Sequence, residues 1–391
     1  MGKKSKKKEK KMAVKETRKL AKEEPSDIAS EVLDDGYIDV MDDKTVALFP
    51  LGDMIIPTGI DYKPGDPEED ALAVTDALPE IEDLEVPKVF SLKGSVVTPA
   101  MMLELSRAVQ RVLIRPEVSG VVVTQPADNI EETAYFVSIS LSDVFQNQNS
   151  KPIVFTTCMN PEDPMFDGTK NLLDSIRVAC HDVKGDISTV VVCMNGEIHA
   201  ASRAQLTHTN KASALASPGW GPVGYVDRDN VYFRCGALEL DTGLNFPMLK
   251  KLTAKVPVVK AMCGDDGALL EMFLEKEPDA IIVEGFGRGN LPAGMMPAIK
   301  KAVKKGIFVV ISTRASSGRV LDSTVFPGSV AQCLECGCLL AGETTTSKAR
   351  LLLMYVLSQK EAIQLKKEDP ERFFAYVQEC LDPVLTNRLF G

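Results

Sequence analysis

Residues 121–136 read VVVTQPADNIEETAYF and combine the signals of a strand, a turn and a helix start. The first residues of this stretch form a run that is apolar on both faces, which is typical of a strand buried inside a sheet. A proline turn follows, and Asn129 then opens a helical pattern whose first turn carries Glu131 and Glu132, in the manner of a capping box. A buried strand that passes through a short loop into a helix predicts one unit of a parallel α/β sheet.

Similar apolar runs recur along the chain and extend this prediction to several strands. The runs are TVALF at 45–49, GVVVT at 120–124, PIVFTT at 152–157, STVVVCM at 188–194, VPVVK at 256–260, AIIVE at 280–284 and GIFVVIS at 306–312. Helical patterns lie between many of them. One begins at Thr98 and Pro99, a capping residue followed by a proline suited to the first turn. Together these patterns predict a doubly wound α/β protein with its functional groups at the carboxyl ends of the strands.

A polar stretch with weak periodicity interrupts the alternation of strands and helices and predicts a boundary between two domains. The predicted divisions are a basic tail and lead-in at 1–42, an N-terminal domain at 43–225, a linker at 226–252, a smaller domain at 253–360 and a C-terminal helical extension at 361–391. Within the extension, Asp369 and Pro370 predict a helix start. The residues predicted to dock this helix are Phe373, Phe374, Val377 and Cys380.

The charge of the chain is unevenly distributed. Residues 1–20 carry a net charge of +8, so that the other residues carry −18 of the overall −10. A lysine-rich segment with almost no apolar residues cannot bury enough surface to order itself, so residues 1–24 are predicted to be a disordered tail. Such a tail is an electrostatic arm suited to an acidic protein, RNA or an anionic surface.

The composition of the chain also indicates the cellular compartment in which the protein resides. The sequence holds no apolar stretch near the roughly 18 residues of a membrane span, and its N-terminal residues hold no apolar signal core. The nine cysteines are odd in number, and several lie in apolar runs, which favours free thiols in a reducing compartment. The cytoplasm is the predicted location, with the nucleus or a cytoskeletal association as alternatives.

The cluster Cys333, Cys336 and Cys338 has the spacing of part of a zinc site. A structural zinc ion needs four ligands, and no fourth cysteine or histidine lies nearby in the sequence. We therefore expect partly buried thiols there, and neither a metal nor a cofactor.

Five further stretches, taken with 121–136, resemble the bacterial-type asparaginase and glutaminase family. Residues 121–136 are similar to its strand ending in His-Gly-Thr-Asp-Thr and continuing as Glu-Glu-Thr-Ala. The others are the first strand at 45–49, TNKASALASPGWGPVGYVD at 209–227, VEGFGRGNLPAG at 283–294, ISTRASSGRV at 311–320 and LAGETTTSKARLLLMYVL at 340–357. The resemblance is colinear from about Thr45 to Leu357. It implies a larger N-terminal and a smaller C-terminal α/β domain, and homo-oligomers whose active sites are completed by a neighbouring subunit.

The resemblance also implies amide hydrolysis by a threonine hydroxyl, which needs a base to take its proton. In this chain the first nucleophile position, which opens the motif Thr-Gly-Gly-Thr, holds Pro50. The second nucleophile position holds Ala127, while its neighbouring aspartate is kept as Asp128. The position of the activating lysine holds His208. Asp128 also suits a structural role, because a carboxylate is stabilised at the start of a helix.

Other positions of the site are carried over by the same resemblance. Gly52, Ser95, Asp128 and Asn290 correspond to substrate-binding positions, although Ser95 is displaced from the pattern of the family. Tyr62 corresponds to a tyrosine on a mobile loop and, with Thr58, is a stand-in catalytic candidate. In a rival alignment Thr58 replaces Pro50 as the nucleophile. A further alternative makes His208 a base beside Asp128.

These residues favour a protein that has kept the asparaginase fold and lost its catalysis. The leading hypothesis is a pseudoenzyme with a structural or binding role in a larger intracellular assembly, so the prediction leans away from an enzyme. The alternatives are an amidohydrolase acting on asparagine, glutamine or a related amide, and a sensor that binds an acidic metabolite without turnover.

Overall fold

The computed structural model describes residues 37–39, 45–51, 96–116, 118–147, 151–159, 167–181, 190–228, 230–234, 246–321 and 324–382. Predictions for the tail 1–24 and for Gly52, Thr58, Tyr62 and Ser95 fall outside these residues.

The larger sheet is built from strands of the N-terminal half. The strands of this half are β1 (Tyr37–Asp39), β2 (Thr45–Pro50), β3 (Val118–Thr124), β4 (Ile153–Thr156), β5 (Val190–Met194), β6 (Glu197–Ala200), β7 (Gln205–Leu206), β8 (Leu215–Ala216), β9 (Gly224–Asp227) and β10 (Asn230–Phe233). The sheet has the order β1-β2-β3-β4-β5-β6-β9-β10, while β7 and β8 form a separate ribbon. Strands β2 to β5 are parallel, as predicted, and the outer pairs are antiparallel.

Helices cover both faces of this sheet. They are α1 (Pro99–Leu113), α2 (Ile130–Ser140), α3 (Ser142–Asn147) and α4 (Gly168–Cys180). Strand β2 shows why both faces are apolar: Ala47 and Phe49 pack in one core with residues of α1 and α2, whereas Val46 and Leu48 pack in another with residues of α4. Side chains alternate between the faces of a strand, so a strand covered twice must be apolar throughout. We call this sheet with its helices the N-terminal lobe.

The smaller sheet is entirely parallel. Its strands are β11 (Val258–Lys260), β12 (Ala280–Gly285), β13 (Phe308–Thr313) and β14 (Leu339–Leu340), paired in that order. The helices of this half are α5 (Ala268–Leu274), α6 (Met296–Lys304), α7 (Val330–Glu335), α8 (Thr346–Val356), α9 (Lys360–Glu368) and α10 (Pro370–Leu381). Residues of α5, α6 and α7 pack on one face, and residues of α8 and α10 on the other. We call this half the C-terminal lobe.

The two lobes share one apolar core. Residues of α1 and α2 belong to the same cluster as residues of α8, α10 and the smaller sheet. Within it the Tyr355 ring contacts the Phe136 ring edge-on, with 5.7 Å between the ring centroids. The Tyr355 hydroxyl also donates to the carbonyl of Pro247 at 3.0 Å and accepts from the Leu249 amide at 3.2 Å.

Two local predictions differ from the structure. Asn129 precedes α2 but makes no capping bond; its amide group instead clamps the Val97 backbone, accepting from N–H at 3.1 Å and donating to C=O at 2.8 Å. Residues 226–227 and 230–233, assigned to the linker, belong to the hairpin of β9 and β10. This hairpin is half exposed, which weakens its hydrophobic pattern; its Tyr225 and Tyr232 rings stack at 5.1 Å.

The C-terminal helix is docked on the C-terminal lobe. Its start is capped by Asp369, whose side chain accepts from the Arg372 amide at 3.0 Å. Phe373, Val377 and Cys380 are buried, and Phe374 packs partly buried against the same cluster. The extension is therefore part of the core up to about residue 382.

Candidate functional site

The carboxyl ends of β2, β3 and β4 meet at one edge of the larger sheet. Pro50 is the register partner of Thr124, and Thr124 is the partner of Thr156. The pairing continues beyond the strands, because the Leu51 amide donates to the Thr124 carbonyl at 2.7 Å and the Gln125 amide to the Thr156 carbonyl at 3.2 Å. Pro50 and the loop after β3 therefore lie side by side where a parallel sheet places its functional groups.

The side chains at this edge offer little nucleophilic chemistry. Ala127 is buried and Asp128 is exposed, both in a short 3₁₀ turn spanning Ala127–Asn129. Pro50 is half-buried, and Thr124 is only 4% exposed. A proline ring and a methyl group cannot attack a carbonyl, so the two positions assigned to nucleophiles cannot supply one.

Gln125 is a polar residue of this edge that the sequence patterns missed. It is only 1% exposed, and its Nε2 donates weakly to the Pro126 carbonyl at 3.4 Å. Its Oε1 has no hydrogen-bond partner. A buried acceptor left unpaired costs roughly 1–3 kcal/mol and is uncommon in folded proteins. No periodicity in the sequence identifies such a residue, because the burial of the Gln125 side chain depends on the path of the loop after β3.

His208 is engaged in its own turn. It is exposed, between β7 and β8, and its Nδ1 accepts from the Asn210 amide at 3.0 Å and from the Lys211 amide at 3.2 Å. These bonds stabilise the turn, and within the described residues no hydrogen bond or ion pair joins His208 to Asp128. The role of a base beside Asp128 remains a prediction.

The C-terminal lobe contributes a buried cation close to the start of α2. Lys348, in α8, is fully buried; its Nζ donates to the carbonyl of Ser202 at 3.2 Å and to that of Ala204 at 2.5 Å. Burial lowers the pKa of Lys348 to about 8, although Glu131 acts in the opposite direction. Glu131 accepts from the Leu206 amide, and burial raises the pKa of its carboxyl group against the influence of Lys348.

A second group of charged side chains, beside Lys348 and Glu131, connects the two lobes. Arg203 pairs with Glu343 at 3.0 Å and lies over the Trp220 ring at 4.0 Å. The other carboxylate oxygen of Glu343 lies 3.4 Å from Arg319, which also binds Asp382 at 2.5 Å.

Asn290 holds the glycine-rich segment 285–290 together. Its Oδ1 accepts from the Val330 amide at 3.1 Å, in the first turn of α7. Its backbone exchanges hydrogen bonds with Phe286 at 2.8 and 3.0 Å. Gly289 has a φ of 107°, and a Cβ atom there would lie 2.8 Å from the Val320 side chain, which explains this glycine. The substrate-binding role of Asn290 remains a prediction.

The search for other kinds of site covers only the described part of the chain. There, no group of three or more histidine, cysteine or acidic side chains is arranged to hold a metal ion. None of the helices is long and apolar enough to cross a bilayer.

Comparison with known families accounts for this arrangement. The family model described as Asparaginase, N-terminal matches residues 57–237, and that described as Glutaminase/Asparaginase C-terminal domain matches residues 255–368. The first match includes Thr58 but begins after Pro50. The C-terminal match ends before α10 begins at Pro370.

Individual proteins agree with the family models. The L-asparaginase of Bacillus licheniformis is 30% identical over 298 residues, covering 75% of this chain and 89% of that protein. A subunit of the glutamyl-tRNA(Gln) amidotransferase of Methanosarcina mazei is 27% identical, covering 79% of this chain and 73% of that protein.

A solved structure shares the fold. The probable cytoplasmic L-asparaginase of Campylobacter jejuni superposes with a TM-score of 0.69 at 24% identity, covering 85% of this chain and 98% of that one. With its two α/β sheets, each with a parallel centre, and its matches to both domain models, this chain belongs to the asparaginase family, whose relatives support an amidohydrolase type of function.

Proposed function

We propose that this protein is a catalytically inactive member of the asparaginase family with a structural or binding role in a larger intracellular assembly. One observation carries the proposal: the two positions that the resemblance assigns to nucleophiles hold Pro50 and Ala127. Both lie at the strand-end edge of the larger sheet, and neither has a hydroxyl group.

The magnitude of the expected loss supports this proposal. Removal of the nucleophile from a catalytic triad lowers turnover about a million-fold in a well-studied protease. In this chain two nucleophile positions are replaced at once. The position assigned to the activating lysine holds His208, whose accepting nitrogen is occupied by backbone amides of its own turn.

A place in an assembly is supported by relatives and by charge. The Methanosarcina mazei relative is named as part of an amidotransferase, so the fold occurs within larger complexes. The resemblance implies a homo-oligomer, and the lysine-rich segment 1–24 carries the charge needed to bind an acidic protein, RNA or an anionic surface. Free thiols throughout the described residues suit the cytoplasm as the compartment.

A working amidohydrolase is the second candidate, and one observation favours it. The N-terminal family match begins at residue 57 and so includes Thr58, the stand-in nucleophile of the rival alignment. Against this candidate, the parallel strand beside β3 ends at Pro50, eight residues earlier. Thr58 would therefore have to return to the edge where Pro50 lies.

The decisive experiment is ammonia release by the purified full chain from asparagine and from glutamine. The Bacillus licheniformis L-asparaginase, assayed in parallel, is the positive control, and a heat-denatured sample gives the background. We expect release at background level, at least about 10⁵-fold below the control, as the loss of a nucleophile requires. Thermal shifts with aspartate and glutamate on the same preparation test ligand binding without turnover.

Variants separate the two candidates. Thr58→Ala removes the stand-in hydroxyl, and Thr124→Ala removes the hydroxyl that the structure places at the edge. Sustained ammonia release by the unmodified chain that disappears in Thr58→Ala, but not in Thr124→Ala, would show that the protein is an enzyme and that Thr58 is its nucleophile.

A further inference from the structure

Three cysteines cluster at the end of α7, outside the candidate functional site. Cys333 lies within the helix, Cys336 is its C-terminal capping residue, and Cys338 directly precedes β14. The spacing suggested part of a zinc site, but the described residues hold no metal-ligand group of three or more. The chemistry of the cluster must therefore be sought in the thiols themselves.

The backbone explains why two of these thiols meet. Gly337 adopts a left-handed conformation with a φ of 88° directly after the capping residue. The Cys338 amide donates to the Cys333 carbonyl at 3.0 Å, and the Gly337 amide donates to the Leu334 carbonyl at 2.9 Å. These two bonds define a Schellman motif, which commonly brings the side chains of its first and last residues into contact.

The side chains follow this geometry. Interaction with the Cys338 thiol lowers the pKa of Cys333 and raises that of Cys338, while the Cys333 thiol itself donates to the Met296 sulfur at 3.9 Å. Both residues are buried, at 0% and 2% exposure, whereas Cys336 is partly exposed. The cluster thus combines an adjacent buried dithiol with a neighbouring thiol that solvent can reach.

We propose that Cys333 and Cys338 are a redox-active dithiol that forms a disulfide across the end of α7, and that Cys336 is the thiol through which a peroxide-class oxidant enters. The backbone hydrogen bond from the Cys338 amide to the Cys333 carbonyl holds the two residues side by side at the end of α7, which is the proximity that a disulfide requires.

The reaction balances in three steps. The Cys336 thiolate attacks hydrogen peroxide, so that the O–O bond breaks, hydroxide leaves and a sulfenic acid forms. The Cys333 thiolate then attacks the Cys336 sulfur, breaks its S–O bond and releases hydroxide, which leaves as water once protonated. The Cys338 thiolate finally attacks Cys333 and frees the Cys336 thiolate. Overall, two thiols and one peroxide give one disulfide and two waters.

Oxidation at this point would fix the end of α7 to the start of β14. The other end of α7 is tied to the glycine-rich segment, because the Val330 amide donates to the Asn290 side chain at 3.1 Å. The disulfide therefore lies one short helix away from a segment that the family resemblance assigns to the site.

The test is a differential thiol map of the reduced full chain before and after hydrogen peroxide. Free thiols are alkylated with a first reagent in acidic denaturant, disulfides are then reduced, and the released thiols take a second reagent. Trypsin cuts after Arg319 and Lys348, so that one peptide carries all three cysteines. We expect the second reagent on Cys333 and Cys338 and the first on Cys336, and reversal by dithiothreitol.

Two variants complete the experiment. Cys336→Ser should slow formation of the disulfide on the order of tenfold, because the accessible thiol is gone. Cys263→Ser is the matched control, since Cys263 is an exposed thiol elsewhere, and it should leave the rate unchanged. Oxidation of Cys263 in the unmodified chain shows that the peroxide treatment was sufficient. The proposal fails if, after that treatment, all three cysteines of the peptide still carry the first reagent. It also fails if Cys336→Ser forms the disulfide as fast as the unmodified chain.

Discussion

Lys348 is fully buried, which is rare for a lysine. Its ammonium group is removed from water and held by two backbone carbonyls, 5.7 Å from the Tyr135 ring centre. Glu131 and Glu132 of α2 stabilise its charge, but burial, helped by repulsion from Arg203, outweighs the two glutamates and lowers the pKa. A lysine in such a position titrates at a pH where proteins are commonly handled.

The stability of the protein should therefore depend on pH through Lys348. Its pKa is about 8 in the folded chain and about 10.4 when unfolded. Between these values the unfolded chain binds more protons, so the free energy of unfolding gains up to about 1.4 kcal/mol per pH unit. We expect the difference between the unmodified chain and Lys348→Met, measured by urea unfolding, to grow in favour of the unmodified chain from pH 7.5 to 9.5.

The matched control is Lys301→Met, which removes an exposed lysine paired with Glu271 at 3.2 Å. Its difference from the unmodified chain should stay constant over the same pH range. If the difference for Lys348→Met instead shrinks as the pH rises, the folded state must raise the lysine pKa, and the attraction of Glu131 outweighs burial.

For individual residues, the sequence predicted where in the fold a residue lies better than it predicted which groups the residue contacts. Pro50 and Ala127 were expected at strand ends and lie there, because parallel strands bring their carboxyl ends to one edge. Lys348 and Gln125 were missed. Their environments are formed by segments that lie far apart in the sequence. The local hydrophobic pattern around each residue therefore does not predict which groups surround it.

Among the elements, α10 shows how a short edge strand is protected. Strand β14 pairs with β13 on one side, and the buried side chain of Gln378 takes the place of a further strand on the other. Its Oε1 accepts from the Leu340 amide at 2.9 Å, and its Nε2 donates to the Leu340 carbonyl at 3.0 Å. An unpaired strand edge can pair with a strand of another chain and so promote aggregation. The amide group of Gln378 occupies the Leu340 hydrogen-bonding groups that such a strand would use.

Gln378→Leu should consequently destabilise the chain although it keeps nearly the same volume. It leaves an amide and a carbonyl of Leu340 buried without partners, and each such group costs roughly 1–3 kcal/mol. We expect the free energy of unfolding, from urea titration, to fall by about 2 kcal/mol or more. Gln364→Leu, at an exposed position of α9, should change it by less than about 0.5 kcal/mol. Equal effects of the two variants would show that Gln378 contributes no more than a surface glutamine.

Element types were predictable where the hydrophobic period was strong. The seven apolar runs all contain strands, and Thr98 caps α1 as expected, its side chain accepting from the Met101 amide at 3.4 Å. The β9–β10 hairpin was read as a linker because its exposed face breaks the pattern. The docking of α10 through Phe373 and Val377 followed from ordinary helical spacing, whereas the bond of Gln378 to β14 did not.

For the molecule as a whole, the shared core implies that the two lobes depend on each other. Residues of helix α2 of one lobe and of α8 of the other lie in one apolar cluster, in which the Phe136 and Tyr355 rings are in contact. The charged contacts of Arg203 with Glu343 and of Lys348 with Ala204 cross the same junction. Neither lobe can leave the other without exposing large apolar side chains, which costs about 25 cal/mol per Å².

The lobes should therefore unfold together. The single tryptophan of the chain, Trp220, lies under Arg203 at the junction, so that its fluorescence reports on that contact. Far-ultraviolet circular dichroism reports on the helices of both lobes. We expect the two signals to give one coincident urea transition, which is the usual test of cooperative unfolding.

Tyr355→Phe, which removes the hydroxyl bonded to Pro247 and Leu249, should shift both transitions equally to lower urea. A fluorescence transition that precedes the loss of helix would mean that the junction opens first and that the lobes are separate folding units.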